Sequence, residues 1–313
     1  MPLNIAIPRP KAEEFTKLAG ISKIYDNLEE VFEDPQVDLV DALLPVQYNL
    51  DAVNLAVKHR KDICLEKPIA ANLGQAGQIR EDLDILISIN GNFVYFKAID
   101  TLETAIGKIG KVYSFTYRCI EPFPFSSEYH ATSWRQMPQH VGGYLSDGGV
   151  HQATILSGAL GQVKSINARN KQMRDLSGTD DILYSVLEMH SGVIGMLTYG
   201  GAFGNTEKRH LFPIRGDNGS VGLELGHDAP AKVTLRIGGA TAAADKYTEE
   251  FIIDNENDSP VKVLEILGKA LTAGDKSKII ATPEVAFHHL AVIDAAIESS
   301  SRGGQTVEVK SLI

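Results

Sequence analysis

At 313 residues the chain is long enough to build two hydrophobic cores. Its 43% hydrophobic and 22% charged residues exclude a disordered or fibrous protein. A formal charge of −10 with no basic cluster excludes a general phosphate-backbone binder, so no nucleic-acid partner is expected; a single anionic cofactor needs only a few local cations or a helix N-terminus.

The chain opens Met1-Pro2-Leu3-Asn4, without a charged segment followed by an apolar one, so no secretory signal is read there. Residues 3–7 form a short apolar strand candidate and residues 11–18 a helix. Residues 37–44 read as a strand that stops at Pro45, and residues 46–59 carry a helical apolar period through Leu50, Val53, Leu55 and Ala56. Residues 62–65 are a strand, 73–83 a helix and 85–89 a strand. Strands separated by helical segments predict a parallel, doubly wound, Rossmann-like sheet over residues 1–110. Ligands of such sheets sit beyond the carboxyl ends of the strands. Pro45, Glu66-Lys67-Pro68 and Asn90-Gly91-Asn92 each follow a strand, so all three are expected on one edge.

From about Lys111 the texture turns β-rich, with strands predicted at 112–119, 163–169, 182–189, 193–199, 211–215, 221–225, 232–237 and 247–253. Glycine turns at His190-Ser191-Gly192 and Asp217-Asn218-Gly219 favour antiparallel pairing. Two helices accompany them, at 148–160 and at 283–299, the second with Thr282 as N-cap and Pro283 at its first position. Residues 111–313 therefore read as an α+β domain on a large, open, mainly antiparallel sheet, whose outer face is expected to be buried in a dimer. The sequon at Asn218 is read as part of a turn.

Cys64 and Cys119 lie in apolar strand-like runs and read as small buried hydrophobes, not a disulfide. No Cys, His, Asp or Glu cluster has metal-ligand spacing, so no metal is expected, and adjacent His288 and His289 read as structural. No apolar run approaches the length of a membrane span, which leaves a soluble, cytoplasmic protein as the expectation.

Two motifs carry the chemistry. Glu66-Lys67-Pro68 puts an ammonium at the end of a strand, and Gly142-Gly143-Tyr144-Leu145-Ser146-Asp147-Gly148-Gly149-Val150-His151 is a glycine turn feeding a helix. Asp147 and His151, spaced i,i+4, share one helical face, so the carboxylate can orient the imidazole. Asp147 also suits a first-turn helix carboxylate, and both roles can hold at once. Lysine, carboxylate and imidazole together are the parts of a proton-transfer site.

In this order the two motifs resemble the glucose-fructose oxidoreductase / inositol dehydrogenase (Gfo/Idh/MocA) superfamily of NAD(P)-dependent sugar and polyol dehydrogenases, closest to fungal cytosolic NADP-dependent members. The resemblance implies hydride transfer between nicotinamide and a sugar, polyol, aldehyde or ketone. It implies a catalytic group of Lys67, Asp147 and His151, with His151 or Lys67 moving the proton, and a cis peptide before Pro68. It places Leu44, Pro45, Asn49, Glu66, Lys67, Asn92, Trp134 and Arg135 near the cofactor, Asn49 standing near where the family often has a histidine. A non-catalytic, NAD(P)-sensing regulator or scaffold of the same fold is the alternative, and a structural oligomer that binds no nucleotide is a third reading.

One part of the pattern is missing: no G-x-G-x-x-G occurs in the chain. Ile5-Ala6-Ile7 runs straight into Pro8-Arg9-Pro10-Lys11, with no room for a βαβ unit of roughly 30 residues before the next strand. Three explanations stand: a segment between Ile7 and Pro8 absent from this sequence, a natural or engineered deletion, or loss of dinucleotide binding. The first is preferred, because a sheet lacking its second strand leaves an apolar flank uncovered. Arg9 would then follow the second strand, where cations read a 2′-phosphate, which favours NADP over NAD.

Overall fold

The computed structural model describes residues 9–21, 23–80, 83–122, 133–203, 208–226, 229–238, 246–253 and 259–312. The strand expected at 3–7 lies outside them. Helices α1 (Arg9–Ala19) and α2 (Leu28–Glu33) lead into strand β1 (Leu39–Ala42). There follow α3 (Asn49–His59), β2 (Asp62–Leu65), α4 (Leu73–Ala76), β3 (Ile87–Ile89) and α5 (Lys97–Ile106). The second half contains β4 (Val112–Ile120), α6 (Ser133–Gln136), α7 (Tyr144–Leu160), β5 (Val163–Lys171), β6 (Ile182–Met189) and β7 (Ile194–Gly200). It continues with β8 (Arg209–Gly216), β9 (Gly219–Gly226), β10 (Ala231–Ile237), β11 (Tyr247–Ile253), α8 (Ser259–Ala273), α9 (Pro283–Ser301) and β12 (Val307–Glu308).

The first sheet is parallel, in the order β1-β2-β3. Its middle strand reads Ile63-Cys64-Leu65 without polar interruption because both faces are covered. Ile63 and Leu65 pack with α3 and α9 residues such as Val53 and Leu290, whereas Cys64 meets Leu267 and Ala270 of α8. Helix α8 comes from far along the chain, and the sequence periodicity gave no expectation of it. The helix expected at 73–83 shrinks to the single turn of α4, capped by Asn72; Gly74 and Gly77 weaken its continuation.

The second sheet has nine strands in the order β11-β10-β9-β8-β4-β7-β6-β5-β12, and only β4 and β7 run parallel. The two-residue turn Asp217-Asn218 joins β8 to β9, as its sequence indicates. The large core beneath the sheet includes α5, α7 and part of α9, so it takes in Phe96, Ile99 and Leu102, ahead of residue 111. Helix α9 serves both cores, with Phe287 and Leu290 in the first and Val292 and Ile293 in the second. Its N-cap is Thr282, as expected, accepting from the Val285 N–H. By length and composition alone, 276–301 is apolar enough to cross a membrane, contrary to the sequence reading; 67% of its most apolar stretch is buried inside the fold.

A buried polar link ties helix α7 to the sheet, the Tyr117 hydroxyl donating to Gln152 Oε1, both residues lying in the core. Tyr117→Phe keeps the ring and strands the amide oxygen, so it is expected to cost about 1–3 kcal/mol. Urea unfolding of the variant beside the wild type measures this directly; equal midpoints would show that the link contributes nothing.

Candidate active site

Strand β2 delivers Lys67 by ending at a tightly held turn. The Lys67–Pro68 peptide is cis. Asn49, fully buried at the start of α3, donates from its side-chain amide to the carbonyls of Glu66 (2.8 Å), Pro68 (3.0 Å) and Ile69 (3.2 Å). Asn49 therefore clamps the turn through its side-chain NH2 group, while its buried Oδ1 has no protein partner. Leu44 and Pro45 follow β1 on the same edge, where the Glu66 N–H donates to the Ala42 carbonyl. Burial pushes the Glu66 carboxyl up, partly opposed by Lys67.

The glycine turn explains how α7 reaches Lys67. Gly142 and Gly143 have φ of 73° and 47°, a region costly for residues with a Cβ. The helix starts at Tyr144, earlier than expected, and packing keeps Gly148, Gly149 and Gly158 inside it. A Cβ on Gly148 would lie 2.0 Å from the Tyr199 hydroxyl, and one on Gly149 would lie 2.8 Å from Ile293 Cδ1.

Asp147 is the centre of the group. Its Oδ1 accepts from Lys67 Nζ at 2.8 Å and its Oδ2 from Arg135 Nε at 3.0 Å, while Lys67 also donates to the Asp147 carbonyl at 2.7 Å. Burial opposes ionisation, but the two cations outweigh it and hold the carboxyl well below its usual range. The expected Asp147–His151 orienting bond is absent among the described residues, because both carboxylate oxygens are taken by the cations. His151 instead stacks against Phe93, with centroids 4.4 Å apart. Burial and the Lys67 charge push the imidazole down to about 3, so it is neutral at physiological pH.

Lys67, Pro68, Ile89, Val94, His151 and Thr154 line one pocket. Asn92 begins a short 3-10 turn at its edge, adjoining Phe93. Arg135 lies on α6; the side chain of Trp134 is outside the described residues. Arg9 is not brought to the group: α1 buries no residue, and Arg9 pairs with Asp26 and Glu13. Sequence reasoning missed Phe93, for which the only signal was an aromatic run after β3, and Arg135 as the partner of Asp147.

Comparisons with known proteins identify the family and the fold. Residues 5–84 match the oxidoreductase family's NAD-binding Rossmann fold, and residues 104–309 match its C-terminal alpha/beta domain. The chain belongs to the Gfo/Idh/MocA oxidoreductase family. An uncharacterized protein of Saccharomyces cerevisiae is 42% identical over 311 residues, covering 96% of this chain and 88% of the relative. Myo-inositol 2-dehydrogenase of Thermotoga maritima is 24% identical over 60% of this chain and 57% of its own length. Among solved structures, an oxidoreductase of Thermotoga maritima superposes with a TM-score of 0.82 at 27% identity, covering 97% of this chain and 88% of the other. Levoglucosan dehydrogenase, solved with NADH and levoglucosan, has a TM-score of 0.81 at 17% identity over 98% of this chain and 89% of its own, a likeness of fold. As a member of this family the protein is an oxidoreductase built on an NAD-binding Rossmann fold.

His289 lines the same pocket as Lys67 and His151, and His288 lies next to it on α9; both rings are held by hydrogen bonds within the fold. His288 Nε2 accepts from the Val163 N–H at 3.2 Å, and His289 Nδ1 meets Thr154 Oγ1 at 3.1 Å. Burial, aided by His190, lowers His288 to about 4; burial, aided by His288, lowers His289 to about 3. Between those values and the ordinary 6.5, the unfolded chain binds protons that the folded chain refuses. Stability is therefore full above that window and is lost as pH falls through it, each site adding a slope of up to about 1.4 kcal/mol per pH unit. Urea midpoints taken at falling pH are expected to drop steeply, and more gently in His289→Leu. Parallel slopes for the two proteins would rule out His289 as a source of the acid sensitivity.

Proposed function

We propose that the protein is an NADP(H)-dependent oxidoreductase that transfers a hydride between nicotinamide C4 and the hydroxyl-bearing carbon of a sugar, polyol, aldehyde or ketone. The observation that carries this is a fixed ammonium beside a neutral imidazole on one pocket. The carbohydrate class is favoured by the myo-inositol and levoglucosan dehydrogenases among the similar proteins.

When bound, the nicotinamide supplies or accepts the hydride. Pro45, Glu66, Lys67 and Asn92 are positioned to hold its ring end, and the unpartnered Asn49 Oδ1 is an acceptor of the kind an amide ligand satisfies. Two of the three Lys67 protons are used on Asp147, leaving one to donate to the substrate oxygen. That bond strengthens as the oxygen gains negative charge during carbonyl reduction or hydroxyl ionisation. His151, neutral, can accept the hydroxyl proton in the oxidative direction, as can Lys67 if it first yields a proton. Asp147 keeps Lys67 in place and partners Arg135, whose guanidinium suits recognition of a carboxylate or phosphate.

His151→Ala is expected to lose at least about 10²-fold in kcat with cofactor affinity kept; wild-type turnover in the variant would remove His151 from the chemistry. Titration with NADPH and NADH, followed by nicotinamide fluorescence, tests the cofactor assignment. Tighter NADPH binding that Arg9→Ala weakens selectively supports the 2′-phosphate role; equal affinities refute it. Absence of binding by either cofactor would favour the second reading, a regulator or scaffold, for which the missing glycine fingerprint speaks.

We also propose a homodimer through the outer face of the large sheet. Tyr113, Tyr184, Val186, Ile194 and Met196 are about half exposed there, and Val186 and Met196 are cross-strand neighbours. Analytical ultracentrifugation should give a dimer, and Val186→Glu a monomer with an unchanged circular dichroism spectrum. A monomeric wild type would refute the assignment.

A further inference from the structure

The large sheet carries a second group of reactive side chains that the proposed hydride transfer does not use. Antiparallel pairing of β4 and β8 sets Cys119 directly opposite His210. Glu121, two residues beyond Cys119, falls on the same face by strand periodicity. One ligand atom from each residue lies within 4.8 Å of the other two. Cys119 is 0% and His210 6% exposed, both fixed in the middle of the sheet.

We propose that Cys119, Glu121 and His210 form a binding site for one divalent transition-metal ion of the zinc class, with a fourth position open to water or a substrate oxygen. Thiolate, imidazole and carboxylate together suit zinc or cobalt and do not suit magnesium or calcium, which take oxygen ligands. Metal–ligand bonds of about 2.0–2.3 Å in tetrahedral geometry separate ligand atoms by roughly 3.3–3.8 Å, so side-chain shifts on the order of 1 Å complete the site. Three protein ligands with an open fourth position is the arrangement of reactive zinc sites.

The protons balance. On binding, the Cys119 thiol releases its proton to solvent, and the ring proton that His210 Nε2 shares with Glu121 Oε1 shifts to Nδ1. That nitrogen is buried and now has no hydrogen-bond partner. Thiolate and carboxylate together offset the charge of the ion, and Lys208 keeps its 2.9 Å contact to the other Glu121 oxygen, Oε2. The site lies one aromatic layer from the catalytic helix: the Tyr144 hydroxyl donates to the Glu121 carbonyl at 3.3 Å, and Tyr144 stacks on Tyr199. The other described cluster with metal-ligand residues, Glu29, Glu33 and His59, is a weaker candidate, since Glu33 is exposed and Glu29 already pairs with Lys58.

Chelator-treated full-length protein titrated with Co²⁺ provides the test. One ion per chain is expected, with a near-ultraviolet thiolate-to-cobalt charge-transfer band, visible bands of a four-coordinate ion and release of about one proton. Zn²⁺ should displace the colour. Cys119→Ser should abolish the charge-transfer band, and His210→Gln should weaken binding at least about tenfold. Cys64→Ser replaces the only other cysteine and should leave the band intact, which assigns it to Cys119 even if the first two variants do not fold. No charge-transfer band in the wild type, or a band lost in Cys64→Ser and kept in Cys119→Ser, would overturn the site.

Discussion

The contact between Lys67 and Asp147 is the constraint around which the two halves of the molecule are arranged. Lys67 follows a strand of the parallel sheet and Asp147 lies on a helix of the second core, so the pair links the two cores. Taking two charges out of water is costly, and Coulomb attraction offsets the cost only where geometry and additional hydrogen bonds are good. Here the ammonium also finds the Asp147 carbonyl, and the carboxylate also finds Arg135. Each charge is thus held by more than one partner, as a partly buried ion pair requires. The Asn49 clamp fixes the lysine's backbone from below, and the two-glycine turn sets the angle at which α7 arrives.

That arrangement explains the state of His151. Burial and the neighbouring ammonium both disfavour a second positive charge, and together they outweigh the opposing pull of the Asp147 carboxylate. The site therefore holds one fixed cation and one neutral base side by side, the imidazole kept neutral by burial and by the Lys67 charge. Two neutral buried histidines on α9 continue the same logic, His289 on the pocket wall and His288 beside it, where Thr154 and the Val163 N–H hold the rings.

Much of this was legible in the sequence. The alternation of short apolar strands with helical periods gave the parallel sheet, and regular strands with glycine turns gave the large antiparallel one. The Lys67, Asp147 and His151 motifs were visible because glycine and proline punctuate them. What the motif could not show was who pairs with whom: the i,i+4 spacing made His151 the natural partner of Asp147, whereas the fold supplies Lys67 and Arg135 from other segments. The clamping role of Asn49 was not legible, since only the fold shows three carbonyls converging on its amide. Cys119, Glu121 and His210 were invisible as a group because strand register, not sequence spacing, brings them together. The packing of α8 on Cys64 was likewise hidden, a contact across most of the chain.

The missing glycine fingerprint bears on affinity more than on chemistry. In dinucleotide-binding folds the glycines let backbone approach the pyrophosphate at a helix N-terminus, while the adenosine ribose is read at the end of the second strand. On the proposed reading the bond-making end of the cofactor would be served by other residues, those after the later strands: β2 ends in the clamped Lys67 turn, β3 leads to Asn92 and Phe93, and α7 brings His151 into contact with Phe93. A chain can therefore retain a complete proton-transfer group while its grip on the phosphates is altered. Enzyme and regulator thus differ here in how tightly the nicotinamide is delivered to Lys67 and His151, because the same side chains stand ready in either case.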